Sequence, residues 1–119
     1  MKLILAVDDS PANLTLVREA LKEHYKVSVV TSGDQALRFL KKKQPDLVLL
    51  DVCMPGMDGI ETMRRMNDMP NCTWKVIFLT ALTDAYLGEQ AKSLNAAGYI
   101  TKPFSPDALV DNIKEVIGE

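Results

Sequence analysis

Five residues able to ligate a cation or react stand where apolar runs stop. Asp8 and Asp9 follow "LILAV" (3–7) and Asp51 follows "DLVLL" (46–50). Thr80 closes "KVIFLT" (75–80), and Lys102 follows "GYIT" (98–101). Three carboxylates at close quarters repel one another unless a cation joins them or a proton is taken up. A hard divalent ion suits such oxygen ligands, and Mg²⁺ (or Mn²⁺) takes a few carboxylates while keeping waters for substrate oxygens. An aspartate is also a competent nucleophile toward phosphorus, giving an acyl phosphate. Phosphoryl transfer asks mainly for positioning and for positive charge at the phosphoryl oxygens. The ion, the Lys102 ammonium and the Thr80 hydroxyl could supply these, so the set reads as a phosphoryl acceptor.

These residues meet only if the apolar runs are neighbouring strands, and the periodicity predicts that they are. "LILAV" (3–7), "KVSVVT" (26–31), "DLVLL" (46–50), "KVIFLT" (75–80) and "GYIT" (98–101) read as strands. The third run is apolar without alternation, as in a parallel strand covered on both faces. Amphipathic stretches lie between them. "SPANLTLVREALKEH" (10–24) predicts a helix capped by Ser10, with Pro11 in its first turn and Leu14, Val17 and Leu21 on one face. "GDQALRFLKKK" (33–43) predicts a second, with Ala36, Leu37 and Leu40 turned inward. Asp58 and Glu61 are spaced as a capping box for a third helix reaching about Met66. A fourth falls near 84–95, and "SPDALVDNIKEVIG" (105–118) repeats the Ser-Pro start and ends on Gly118. Strict alternation of five strands with five helices implies right-handed crossovers and an α/β, doubly wound, five-stranded parallel sheet in a single domain, residues 1–119. Ligands of such sheets bind beyond the carboxyl ends of the strands, where all five residues lie.

Bulk properties narrow the function classes. The 119 residues, 47% hydrophobic and 25% charged, allow one core and no second domain. A net charge of −2 gives no case for direct nucleic-acid binding or for an anionic membrane surface. No apolar run is long enough for a signal-peptide core or a membrane span, so cytoplasmic residence is expected. Cys53 and Cys72 have neither a metal-binding nor a CxxC spacing and are expected as reduced thiols. The "KKK" at 41–43 reads as a solvated helix end that suits the dipole, and Trp74 as core, rim or surface. His24 reads as a solvated helix-end residue.

Four segments together resemble the receiver domain of bacterial two-component response regulators. "VDDS" (7–10) is similar to the family's acidic pair, and "LLDVCMPGMDG" (49–59) to its phosphoacceptor strand and loop. "FLTA" (78–81) resembles its hydroxyl switch motif, and "GYITKPF" (98–104) its lysine motif. The resemblance covers the whole chain and implies a flavodoxin-like strand order of 2-1-3-4-5. It implies that Asp51 takes a phosphoryl group from a histidine kinase or histidine phosphotransfer domain, with Asp8, Asp9, Asp51 and the main-chain carbonyl of Cys53 around Mg²⁺. It implies a cis peptide between Lys102 and Pro103. Thr80 would then move toward the phosphate and Tyr99 turn inward, reshaping the face of helix four, strand five and helix five. That face would meet a downstream protein, a fused output domain or a second copy in a homodimer. The domain would also help hydrolyse its own phosphate. Cys53 and Leu82 border the expected pocket and offer attacking water little polarity, so that hydrolysis is expected to be slow. The chain ends with helix five, so no output domain is expected within it.

Plainer readings stand beside these. Singly, Asp51 could start a loop, Asp8 and Asp9 fill a turn, Thr80 end a strand and Lys102 be solvated. Tyr99 could equally pack on the sheet. An aspartate-nucleophile phosphatase of the haloacid dehalogenase type needs a second acid two residues after the nucleophile, where Cys53 stands. A flavodoxin-like electron carrier needs a hydroxyl-rich loop after strand one, where "DDSPAN" offers acids. An interaction module that takes no phosphate would keep the same fold.

Overall fold

The computed structural model describes residues 1–70, 72–81 and 85–118. In chain order the elements are β1 (Leu3–Val7), α1 (Pro11–Leu21), β2 (Lys26–Val30), α2 (Gly33–Lys42) and β3 (Leu47–Asp51), then α3 (Gly59–Asn67), β4 (Lys75–Thr80), α4 (Ala85–Ser93), β5 (Gly98–Thr101) and α5 (Pro106–Ile117). All strand pairs are parallel, and the sheet order is β2-β1-β3-β4-β5. This is the expected doubly wound α/β sheet. Asp84, where the sequence places the start of the fourth helix, lies outside the described residues.

Alternation within the strands explains the two layers of helices. Ile4, Ala6, Leu47, Leu49, Ile77 and Leu79 face α1 and α5, meeting Leu14, Val17, Leu21, Leu109 and Ile113. Leu5, Val7, Val48, Leu50, Val76 and Phe78 face the other side, against Ala36 and Leu40 of α2 and Met63 and Met66 of α3. Every residue of β3 is buried, which is why its sequence shows no alternation. Each fully buried Leu or Ile contributes roughly 1.5–3 kcal/mol, so the two faces hold the sheet rigid.

Caps define the helix starts. Ser10, Ser32, Asp58 and Ser105 each accept an N–H from three residues on. Only half of the expected capping box forms: Asp58 accepts from Glu61 N at 2.9 Å, while the Glu61 carboxylate turns to Arg65 at 3.2 Å. The first helix stops at Leu21, not 24. His24 N and Tyr25 N both donate to Leu21 O at 2.9 Å in a tight turn that carries Tyr25 into the core. The second helix ends at Lys42 with Lys43 as its cap, and Leu37 is only partly buried. Gly118 ends α5 in the left-handed region, φ 76°.

Candidate functional site

The strand ends deliver the acids to one place. Asp51 is itself the last residue of β3, in register with Leu79 of β4. Asp8 follows β1, and its N–H donates to Val30 O at 3.2 Å, continuing the pairing with β2. Carboxylate oxygens of Asp8, Asp9 and Asp51 all lie within 4.8 Å of one another. Asp8 and Asp51 are buried, 3% and 5% exposed, while Asp9 faces solvent.

Lys102 reaches into this group from β5. Its Nζ lies 2.9 Å from Asp8 Oδ2 and 3.4 Å from Asp51 Oδ1. One contact places it, since Lys102 N donates to Thr80 O at 2.7 Å. The Lys102–Pro103 peptide is cis, as the resemblance implies. Asp8 is fixed from its other side, since Ser10 N donates to Asp8 Oδ1 at 2.9 Å. Ser10 thus orients an acid with its backbone and caps α1 with its hydroxyl.

Burial raises the Asp51 pKa, and the nearby Asp8 charge raises it further. Lys102 and the Cys53 N–H bonded to the Asp51 carboxylate offset part of that. Burial also works to lower the Lys102 pKa, but its hydrogen bonds and charge attraction to Asp8 and Asp51 outweigh it and the net shift is upward. Three carboxylates therefore face one ammonium, and the deficit of positive charge fits a hard divalent cation bound to oxygen.

The other expected residues sit around this centre. Thr80 is fully buried at the end of β4, in register with Thr101. Cys53 is exposed in the loop after β3, whose Val52 and Met54 turn into the core. Tyr99 stands apart on the edge strand, 48% exposed. Leu82 lies outside the described residues. Cys53 and Cys72 are both free thiols, and partial desolvation raises the Cys72 pKa.

Gly59 plays a part that its sequence position alone does not announce. A Cβ there would strike the Asp51 carbonyl oxygen and lie 2.8 Å from Val52 Cα. Its N–H donates to Val52 O at 2.9 Å, so α3 begins pressed against the acid-bearing strand end. The one signal in the sequence is a glycine directly after the Asp58 cap.

Comparison with known proteins agrees with this geometry. Residues 4–114 match the family model described as the response regulator receiver domain. The sporulation initiation phosphotransferase F of Bacillus subtilis is 38% identical over 115 residues, 96% of this chain and 92% of its own length. The chemotaxis protein CheY of Halobacterium salinarum is 33% identical over 98% of this chain and 97% of its own. The crystallised chemotaxis protein CheY4 of Vibrio cholerae superposes with a TM-score of 0.93 at 30% identity, covering 98% of each chain. The chain belongs to the response regulator receiver domain family, the phosphoacceptor switches of two-component signalling.

Proposed function

We propose that Asp51 accepts the phosphoryl group from a phosphohistidine on a histidine kinase or histidine phosphotransfer domain. The observation that carries this reading is the buried Asp51 carboxylate 3.4 Å from Lys102 Nζ, inside a trio of acids at the carboxyl edge of the sheet. An Asp51 oxygen bonds to phosphorus as the P–N bond breaks, and the imidazole leaves with the electron pair and takes a proton. Burial strips water from the Asp51 carboxylate, and Lys102 lies within reach of charge developing on the phosphoryl oxygens. Thr80 supplies a hydroxyl at the adjacent strand end. Asp8, Asp9, Asp51 and the main-chain carbonyl of Cys53 would hold Mg²⁺ or Mn²⁺, which when bound supplies positive charge to the same oxygens.

The acyl phosphate adds a dianion at the end of β3, and its charge biases the neighbouring loops. Thr80 then draws toward the phosphate and Tyr99 moves inward from its exposed position on β5. The α4–β5–α5 face changes shape there and engages a downstream protein, a fused output domain or a second copy. The whole of residues 1–119 acts as this one domain, in the cytoplasm, without direct nucleic-acid contact. Among the described residues no helix is long and apolar enough to cross a membrane. Water returns Asp51 to its free form by attacking phosphorus, with release of inorganic phosphate. Cys53 and Leu82 give that water little to bind, so hydrolysis is slow.

One experiment tests acceptor and lifetime together. Protein phosphorylated with acetyl phosphate and Mg²⁺ is freed of donor, and the acyl phosphate is trapped with borohydride at successive times. Peptide mapping is expected to place the reduced residue at Asp51 and to show it surviving for minutes. Trapping at another residue would overturn the site, and a half-life of seconds would overturn slow hydrolysis.

A further inference from the structure

α2 carries none of the residues of the phosphoryl site, yet its first turn reaches the loop that serves them. Gly33 opens α2 and is buried. A Cβ there would strike Thr62 Oγ1 of α3 and lie 3.2 Å from Met57 Sδ, so a hydroxyl and a thioether rest over its bare Cα. Thr62 is fully buried. Its Oγ1 donates to Asp58 O at 2.7 Å, and the stiff β-branched side chain can clear the space only by giving up that bond. Met57 is half-buried in the loop between β3 and α3.

The start of α3 is therefore gripped from two sides, with a glycine on each. Gly59 presses against Asp51 and Val52 on the strand side, and Gly33 receives Thr62 and Met57 on the α2 side. The grip closes a short loop, residues 52–58, whose other end is anchored by buried Val52 and Met54. Cys53 stands in that loop. Its N–H bonds the Asp51 carboxylate, and its carbonyl is the proposed main-chain ligand of the cation. Close-packed interiors transmit a displacement instead of absorbing it, so a change at Gly33 reaches Cys53.

We infer that Gly33 is a positioning residue for the acceptor loop. By seating Met57 and Thr62 against α2, it holds the Cys53 backbone where Asp51 and the cation need it. This rests on the cation site proposed above, toward which Gly33 has no side chain to offer.

The test is a Mg²⁺ titration of the full chain, followed through the ¹H–¹⁵N signals of Asp9 and Cys53. Gly33→Ala is expected to weaken Mg²⁺ about ten-fold, as loss of a ligand's support does. Met57→Ala withdraws the loop from its seat without crowding it, and Met57 is partly exposed, so this variant folds. It is expected to weaken Mg²⁺ about three-fold, and the double substitution to fall short of the product of the two. A merely structural role would lower Tm and leave Mg²⁺ affinity where it was. Unchanged affinity in Met57→Ala, or in folded Gly33→Ala, overturns the positioning role; if Gly33→Ala does not fold, Met57→Ala decides alone. Effects that multiply in full overturn the shared contact. A wild type that takes up no Mg²⁺ overturns the cation site itself and this inference with it, whereas equal binding by wild type and variants overturns the inference alone.

Discussion

At Asp51 the opposing effects can be ranked. Burial and the Asp8 charge raise its pKa, and Lys102 with the Cys53 N–H recovers only part of the difference. A carboxyl whose pKa is raised by folding favours the folded state while protonated and loses that contribution as pH rises through the folded pKa. Ionised Asp51 therefore destabilises the metal-free domain at neutral pH. In EDTA at pH 7, Asp51→Asn is expected to be more stable by about 1 kcal/mol, or about 4 °C in Tm. The gap closes as pH falls into the range where Asp51 takes up its proton. Thermal melts of both proteins at pH 7 and near pH 4 check this, and a less stable Asp51→Asn at pH 7 contradicts it. Lys102 works on the alkaline side: its raised pKa keeps the ammonium charged up to that value, and its pair with Asp51 holds as long as Asp51 is ionised.

Among the elements, α3 sets the position of the acceptor most closely. Helix propensity alone would make Gly59→Ala stabilising by up to about 1 kcal/mol. The added Cβ meets backbone atoms of Asp51 and Val52, which cannot rotate away, and such overpacking costs about 1–3 kcal/mol. The clash wins: Gly59→Ala is expected to lower stability by about 1–2 kcal/mol, read from chemical denaturation. An unchanged or raised midpoint would show that α3 can shift without disturbing the strand end. Helix starts were legible in the sequence because Ser10, Asp58 and Ser105 announce themselves through local cap chemistry. The end of α1 was not, since Lys22, Glu23 and His24 are tolerable in a helix and no Gly or Pro follows them. Burial of Tyr25, a tertiary effect, breaks the helix there.

Across the whole molecule the order β2-β1-β3-β4-β5 places Asp8, Asp51, Thr80 and Lys102 at one edge of the sheet. Polar residues directly after apolar runs carry that information, so the acid cluster was readable before the fold was. The amides of Ser10 and Cys53 and the bare Cα of Gly59 were not, because backbone groups and close approaches leave no pattern of side-chain types. The outward Tyr99 was not legible either, because an aromatic on the edge strand β5 can face the sheet or solvent within the same local pattern. The central claim is that Asp51 reacts, and intact-protein mass after incubation with acetyl phosphate and Mg²⁺ tests it most directly. The wild type is expected to gain the mass of one phosphoryl group, while Asp51→Asn gains none. A wild type that stays unmodified while Mg²⁺ binds, or an Asp51→Asn protein that gains the same mass, would contradict it.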